Sequence, residues 1–126
     1  MVNEATTLCH TRFNIAEKTR KVELLETMIR DFRRTAANLA REIGAEEERT
    51  RIKDPNHAAY SMLAKALAMR RGKLLMSAAD AEMRLLAARH EVEEATAMAS
   101  REVEKAAAAG SMMEFGRVDD QATHVA

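Results

Sequence analysis

Two runs of apolar residues, each advancing mostly in steps that resolve into threes, fours and sevens, flank the single proline of this chain. Upstream the run reads Leu8, Ile15, Val22, Leu25, Ile29, Phe32, Ala36, Leu39 and Ile43; downstream it reads Tyr60, Ala64, Leu67, Leu74, Ala78, Ala81, Leu85, Ala88, Val92, Ala95 and Ala99, interrupted once by Arg71. Such a period places one apolar seam along each of two helices. Asp54-Pro55 separates the runs. Asp is a favoured N-cap, and proline suits the first helical position while disfavouring helix just before it. These signals predict one helix over about 8–51, a turn at 52–54 and a second helix over about 55–108, so that 1–109 forms a helical hairpin. From Gly110 to Ala126 the period is lost, which predicts a disordered tail.

Folding the chain at Pro55 makes facing positions sum to 110. The layers become Ile15 with Ala95, Val22 with Ala88, Leu25 with Leu85, Ile29 with Ala81, Phe32 with Ala78, Ala36 with Leu74, and Ile43 with Leu67. A large residue faces a small one almost throughout, as close packing between two helices requires. The same register sets Lys21 beside Glu91 and Glu42 beside Arg70, and sets Glu26 against Glu82. Regional charge agrees: 12–34 carries seven basic and four acidic residues, and 80–104 carries three and seven. The predicted fold is therefore all-α, a long antiparallel two-helix coiled-coil hairpin with a frayed C-terminal tail, monomeric when free.

Composition closes off other classes. With four glycines, one proline and no tryptophan in 126 residues, the turns of sandwiches and barrels have little to build them, and no glycine-rich phosphate-binding run occurs. Twenty basic and twenty acidic side chains cancel, so the field expected of a nucleic-acid binder is missing. A single cysteine, Cys9, cannot form an internal disulfide. The stretch Met1 to Lys21 has no apolar core of a secretory signal, and charges interrupt every long apolar window, so a cytoplasmic location without membrane insertion is expected.

Catalytic and metal-binding patterns are incomplete. Di-metal bundles need E-x-x-H repeats, yet Asp54 precedes His57 by three residues and Ala87 precedes His90 by three. His90-Glu91 begins like H-E-x-x-H, but Glu94 stands where the second histidine belongs. Cys9-His10 has no second pair to complete a tetrahedral site, and Glu46-Glu47-Glu48 has no cleft to perturb it. No catalytic, cofactor-binding or metal-binding residue is assigned, and the chain is read as a non-enzyme. The sequence features left over are suited to contact. Met62, Met69, Met76 and Met83 recur every seven residues on the face opposite the seam, and methionine is over-used on surfaces that accept partners. Around the turn, 41–73 carries eight basic and five acidic residues, with Arg49, Arg51 and Lys53 nearest Pro55 and Arg70, Arg71 and Lys73 beyond.

From Arg20 to Ser77 the chain resembles the FliJ-like flagellar type III export proteins, particularly their alphaproteobacterial branch. The resemblance rests on MIRDF, on AEEERTRIKDP before the turn, on His57, Ala59 and Tyr60 after it, and on Arg70-Arg71. It implies a stalk and adaptor without enzymatic activity, peripherally associated with the export apparatus. One end, Leu8 to Lys21 with Val92 to Lys105, would meet the hexameric export ATPase through Phe13, Lys18, Met98 and Arg101. The turn end would meet the cytoplasmic ring of the export gate through Arg49, Arg51, Lys53, Asp54, Pro55, His57 and Tyr60, and export chaperones would be further partners. A rival reading is a free secretion chaperone or generic coiled-coil scaffold that binds a client helix on the methionine stripe. Another, from a different class, is a metal or redox enzyme using Cys9, His10 and carboxylates.

Overall fold

A computed structural model describes the backbone of residues 4–125 and the side chains of residues 5–110. The chain is all-α: helix α1 spans Glu4–Thr50 and helix α2 spans Met62–Val125. Among the described residues no helix is long and apolar enough to cross a membrane. Threonine hydroxyls within the helices bond back onto the helix's own carbonyls. Thr11, Thr19, Thr27, Thr35 and Thr96 each donate to the carbonyl four residues earlier, at 2.8–3.0 Å.

The chain divides into two compact units, Arg20–Arg89 and a second made of Met1–Thr19 with His90–Ala126. The unit 20–89 is an antiparallel hairpin. Its core joins Leu25, Ile29, Ala81, Leu85 and Ala88, with Val22, Met28 and Phe32 packed against them. All of those residues except Met28 belong to the layers predicted by folding at Pro55. Ala36, Leu39, Tyr60, Ala64 and Ala78 are buried as well, while Arg71, the break in the seam, is exposed. No polar side chain is buried among the described residues, so apolar contact along one line holds the two segments.

Ion pairs border that line. Glu26 and Glu82, predicted to repel one another, each take an arginine of the opposite helix: Arg89 pairs with Glu26 at 3.8 Å, and Arg33 pairs with Glu82. Exposed pairs of this kind contribute about 0.2–1 kcal/mol each, which decides register more than stability. The predicted Glu42–Arg70 pair does not form; neither side chain has an ion-pair partner.

In the second unit Lys18 lies 3.9 Å from Glu91, and Thr11 donates to Glu102 at 3.3 Å. Ile15, Val92, Ala95 and Ala99 are half-buried there, as their seam positions require. His90 Nε2 lies 3.0 Å from a carboxylate oxygen of Glu94, the residue that interrupts the H-E-x-x-H pattern.

Two boundaries differ from the sequence prediction. The connection is 51–61, not 52–54, and α2 begins at Met62 instead of Pro55. Asp54-Pro55 opens a turn, because the Asp54 carboxylate accepts from Asn56 N at 2.9 Å and the Asp54 carbonyl from His57 N at 3.0 Å. Proline presets the backbone of a turn's second position as well as that of a helix's first. At the far end, α2 continues to Val125, where loss of period predicts an unstructured tail. Period reports burial of one face, whereas Ala106 to Ala109, Met112, Met113 and Glu114 are good helix formers without it. The side chains of 111–126 lie outside the described residues.

The core makes a direct prediction. Ile29→Asp places an unpaired carboxylate in the seam and should lower stability by about 3 kcal/mol or more, whereas Arg30→Asp, one residue away and exposed, should change it by about 0.5 kcal/mol. Thermal unfolding followed by circular dichroism separates the two; equal losses would mean that the seam lies elsewhere.

Candidate functional site

The turn that joins the helices is built around one carboxylate. Glu46, in the last turn of α1, accepts from Arg49 Nε at 3.0 Å and from its terminal nitrogen at 2.6 Å. It also accepts from Ser61 Oγ at 2.8 Å. Ser61 Oγ in turn accepts from Ala64 N at 3.2 Å, which makes Ser61 the N-cap of α2. One side chain thus ties the end of α1 to the start of α2. Beside it, Tyr60 is buried and donates its hydroxyl to Glu47 at 3.0 Å.

Between these anchors the backbone reverses in short steps. Thr50 Oγ1 donates to the Glu46 carbonyl at 3.1 Å, and Arg51 follows at φ 60°, the left-handed conformation that terminates many helices. Glycine usually holds that position, and a β-carbon there costs about 1–2 kcal/mol. After the Asp54 turn, His57 Nδ1 accepts from Ala59 N and the His57 carbonyl from Tyr60 N, both at 3.0 Å.

Titration follows from these contacts. The Arg49 guanidinium and the Ser61 hydroxyl hold the Glu46 carboxylate down to about 2, against an ordinary value of 4.5. Arg49 is raised by the same hydrogen bond. Burial, then the Glu47 contact, pushes the Tyr60 hydroxyl up.

All the predicted tip residues fall in this segment, but their charge is not equally available. Arg49 is engaged by Glu46, and Lys53 lies 3.2 Å from Glu48. Arg51 alone of the three basic residues has no partner within bonding distance, while Asp54, His57 and Tyr60 shape the turn itself. Glu46, Glu47 and Ser61 were missed as site-builders. Ser61 precedes an apolar run, a usable capping signal, but Asp-Pro six residues earlier is the stronger one.

The methionine stripe stands in solvent as its spacing requires, with Met62, Met69, Met76 and Met83 at 79%, 67%, 74% and 69% exposure. In the second unit Lys18 and Met98 line one open groove of about 200 Å³ together with Thr11 and Glu91. Met98 and Arg101 border another, and Phe13 is exposed. Cys9 is exposed and unpaired with sulfur, and no group of three or more potential metal ligands occurs among the described residues. Compared with protein families, with curated proteins and with solved structures, the chain matches none.

The Glu46 contacts carry a signed pH dependence. Because its folded value lies below its ordinary one, its contribution is complete above about 4.5 and is lost as pH falls toward about 2. Glu46→Gln should therefore flatten the fall in melting temperature across that window. Ser61→Ala should cost about 1 kcal/mol through loss of the cap even at neutral pH. Unchanged acid profiles in Glu46→Gln would remove Glu46 from the centre of the turn.

Proposed function

We propose that the chain is a non-enzymatic adaptor that joins two larger proteins, in the flagellar export setting suggested by its resemblance. The observation that supports it most is exposed apolar surface in each compact unit. One unit leaves Phe13, Met98 and Val103 in water; the other leaves Leu24, Met62, Met69, Met76, Met83 and Leu86 there. Large apolar side chains grouped on a surface are a common mark of partner binding.

In this reading the export ATPase takes the unit containing Phe13, Lys18, Met98 and Arg101, the gate's cytoplasmic ring takes the turn, and chaperones are further partners. Arg51 carries the turn contact, since it keeps an unengaged charge in a backbone conformation unfavourable for any residue with a β-carbon.

Two assays with purified components test the adaptor. Phe13→Ala with Met98→Gln should weaken binding to the export ATPase and spare the gate's cytoplasmic domain. Arg51→Gly should raise stability by about 1 kcal/mol by relieving the left-handed backbone, while weakening binding to the gate. Failure of the unaltered chain to bind either partner would overturn the reading.

A further inference from the structure

From Met62 to Ala79, α2 carries four basic residues, Lys65, Arg70, Arg71 and Lys73, and no acidic one. All four are exposed, and none has an ion-pair partner, although most acids of this unit find one. Helical spacing puts Met62, Met69 and Met76 in a row of about 21 Å at about 1.5 Å per residue. Lys65 borders that row on one side, and Lys73 with Arg70 borders it on the other. Ala66 and Gly72, both exposed, lie between successive methionines along the helix and keep the relief shallow. This half of α2 is therefore an apolar track between cationic rails.

We infer that Met62, Met69 and Met76, flanked by Lys65, Arg70 and Lys73, form a docking track for an acidic amphipathic helix of a partner protein. A helix presenting an apolar stripe lays it along the methionines, which repack around varied side chains. Glu or Asp on either side of that stripe meets the lysines and Arg70, which supplies orientation and faster encounter.

Charge decides against one other occupant and composition against a second. A second copy laid track to track sets cations against cations. An anionic membrane would match the charge, but the chain has no tryptophan and its single tyrosine is buried, so the aromatic anchors of an interfacial helix are missing. The inference deepens the adaptor reading by stating the chemistry of one partner, and it rests on that reading only for there being a partner.

The test uses the full chain and two fluorescein-labelled helical peptides of about five turns, identical in a heptad stripe of leucines and flanked by Glu in one and by Lys in the other. Fluorescence anisotropy should show saturable binding of the Glu peptide, at least tenfold tighter than the Lys peptide. Changing Met62, Met69 and Met76 together to Gln should weaken it tenfold or more. Changing Lys65, Arg70 and Lys73 together to Gln should weaken it several-fold and remove most of its salt dependence. Circular dichroism should show unchanged helix content and melting in both variants, because all six side chains lie outside the seam.

No binding of the Glu peptide, equal binding of the two peptides, or full binding by the methionine variant would each overturn the inference. So would flotation with phosphatidylglycerol vesicles, or a dimer in sedimentation, that is abolished by the methionine changes. The ATPase and gate assays contain no peptide, so the adaptor reading and the docking track can fail separately.

Discussion

The hairpin 20–89 hangs on a single line of side chains in which large residues of one helix mostly meet small residues of the other. Two helices have no third layer to close over them, so each buried leucine or isoleucine must find its cover on one facing surface. Alanines at 78, 81 and 88 allow the α2 backbone to approach α1, and Leu25 and Ile29 fill the space that results. Charge is kept out of that line, which is why the chain can carry so many ionisable groups with no unsatisfied one buried among the described residues. The same economy leaves more than half of the described residues of each helix exposed, with apolar side chains among them that a thicker domain would have covered.

The turn obeys a different logic. It has no seam to order it, so polar contacts take over: a carboxylate near the end of one helix holds the cap of the next, and a buried tyrosine rests on the neighbouring carboxylate. Burial of Tyr60 joins the two systems. Its ring belongs to the apolar line and its hydroxyl to the polar turn, an arrangement suited to a side chain with one dry body and one wet tip. Acid residues that look in the sequence like a solvated run, 46–48, are each committed to a partner: Arg49 and Ser61, Tyr60, and Lys53.

Periodicity made the hairpin legible, because a seam seven residues in repeat can bury one face and only one, and its two halves admit a common fold point. The exposure of the four methionines was legible for the same reason. What period cannot express is where backbone reversal stops. Asp54-Pro55 satisfies the rules for a helix start and for a turn alike, and the choice between them fell to Ser61 and Glu46, fifteen residues apart in the chain. Nor can composition say which charges are spent. Arg49 and Lys53 look available in the sequence and are engaged, whereas Lys65, which no sequence pattern marks, is free.

The crossed pairs Arg33–Glu82 and Arg89–Glu26 have a bearing on errors of assembly. A heptad repeat is nearly indifferent to sliding by one repeat, since leucines and alanines then meet other leucines and alanines. These four side chains are not indifferent. Slide the helices one heptad so that facing positions sum to 103, and both arginines leave their carboxylates while Glu26 and Glu82 stay neighbours; a slide the other way, to 117, keeps both attractions. The quartet therefore opposes slippage in one direction only and works as a ratchet, leaving the fit of large against small residues to oppose the other.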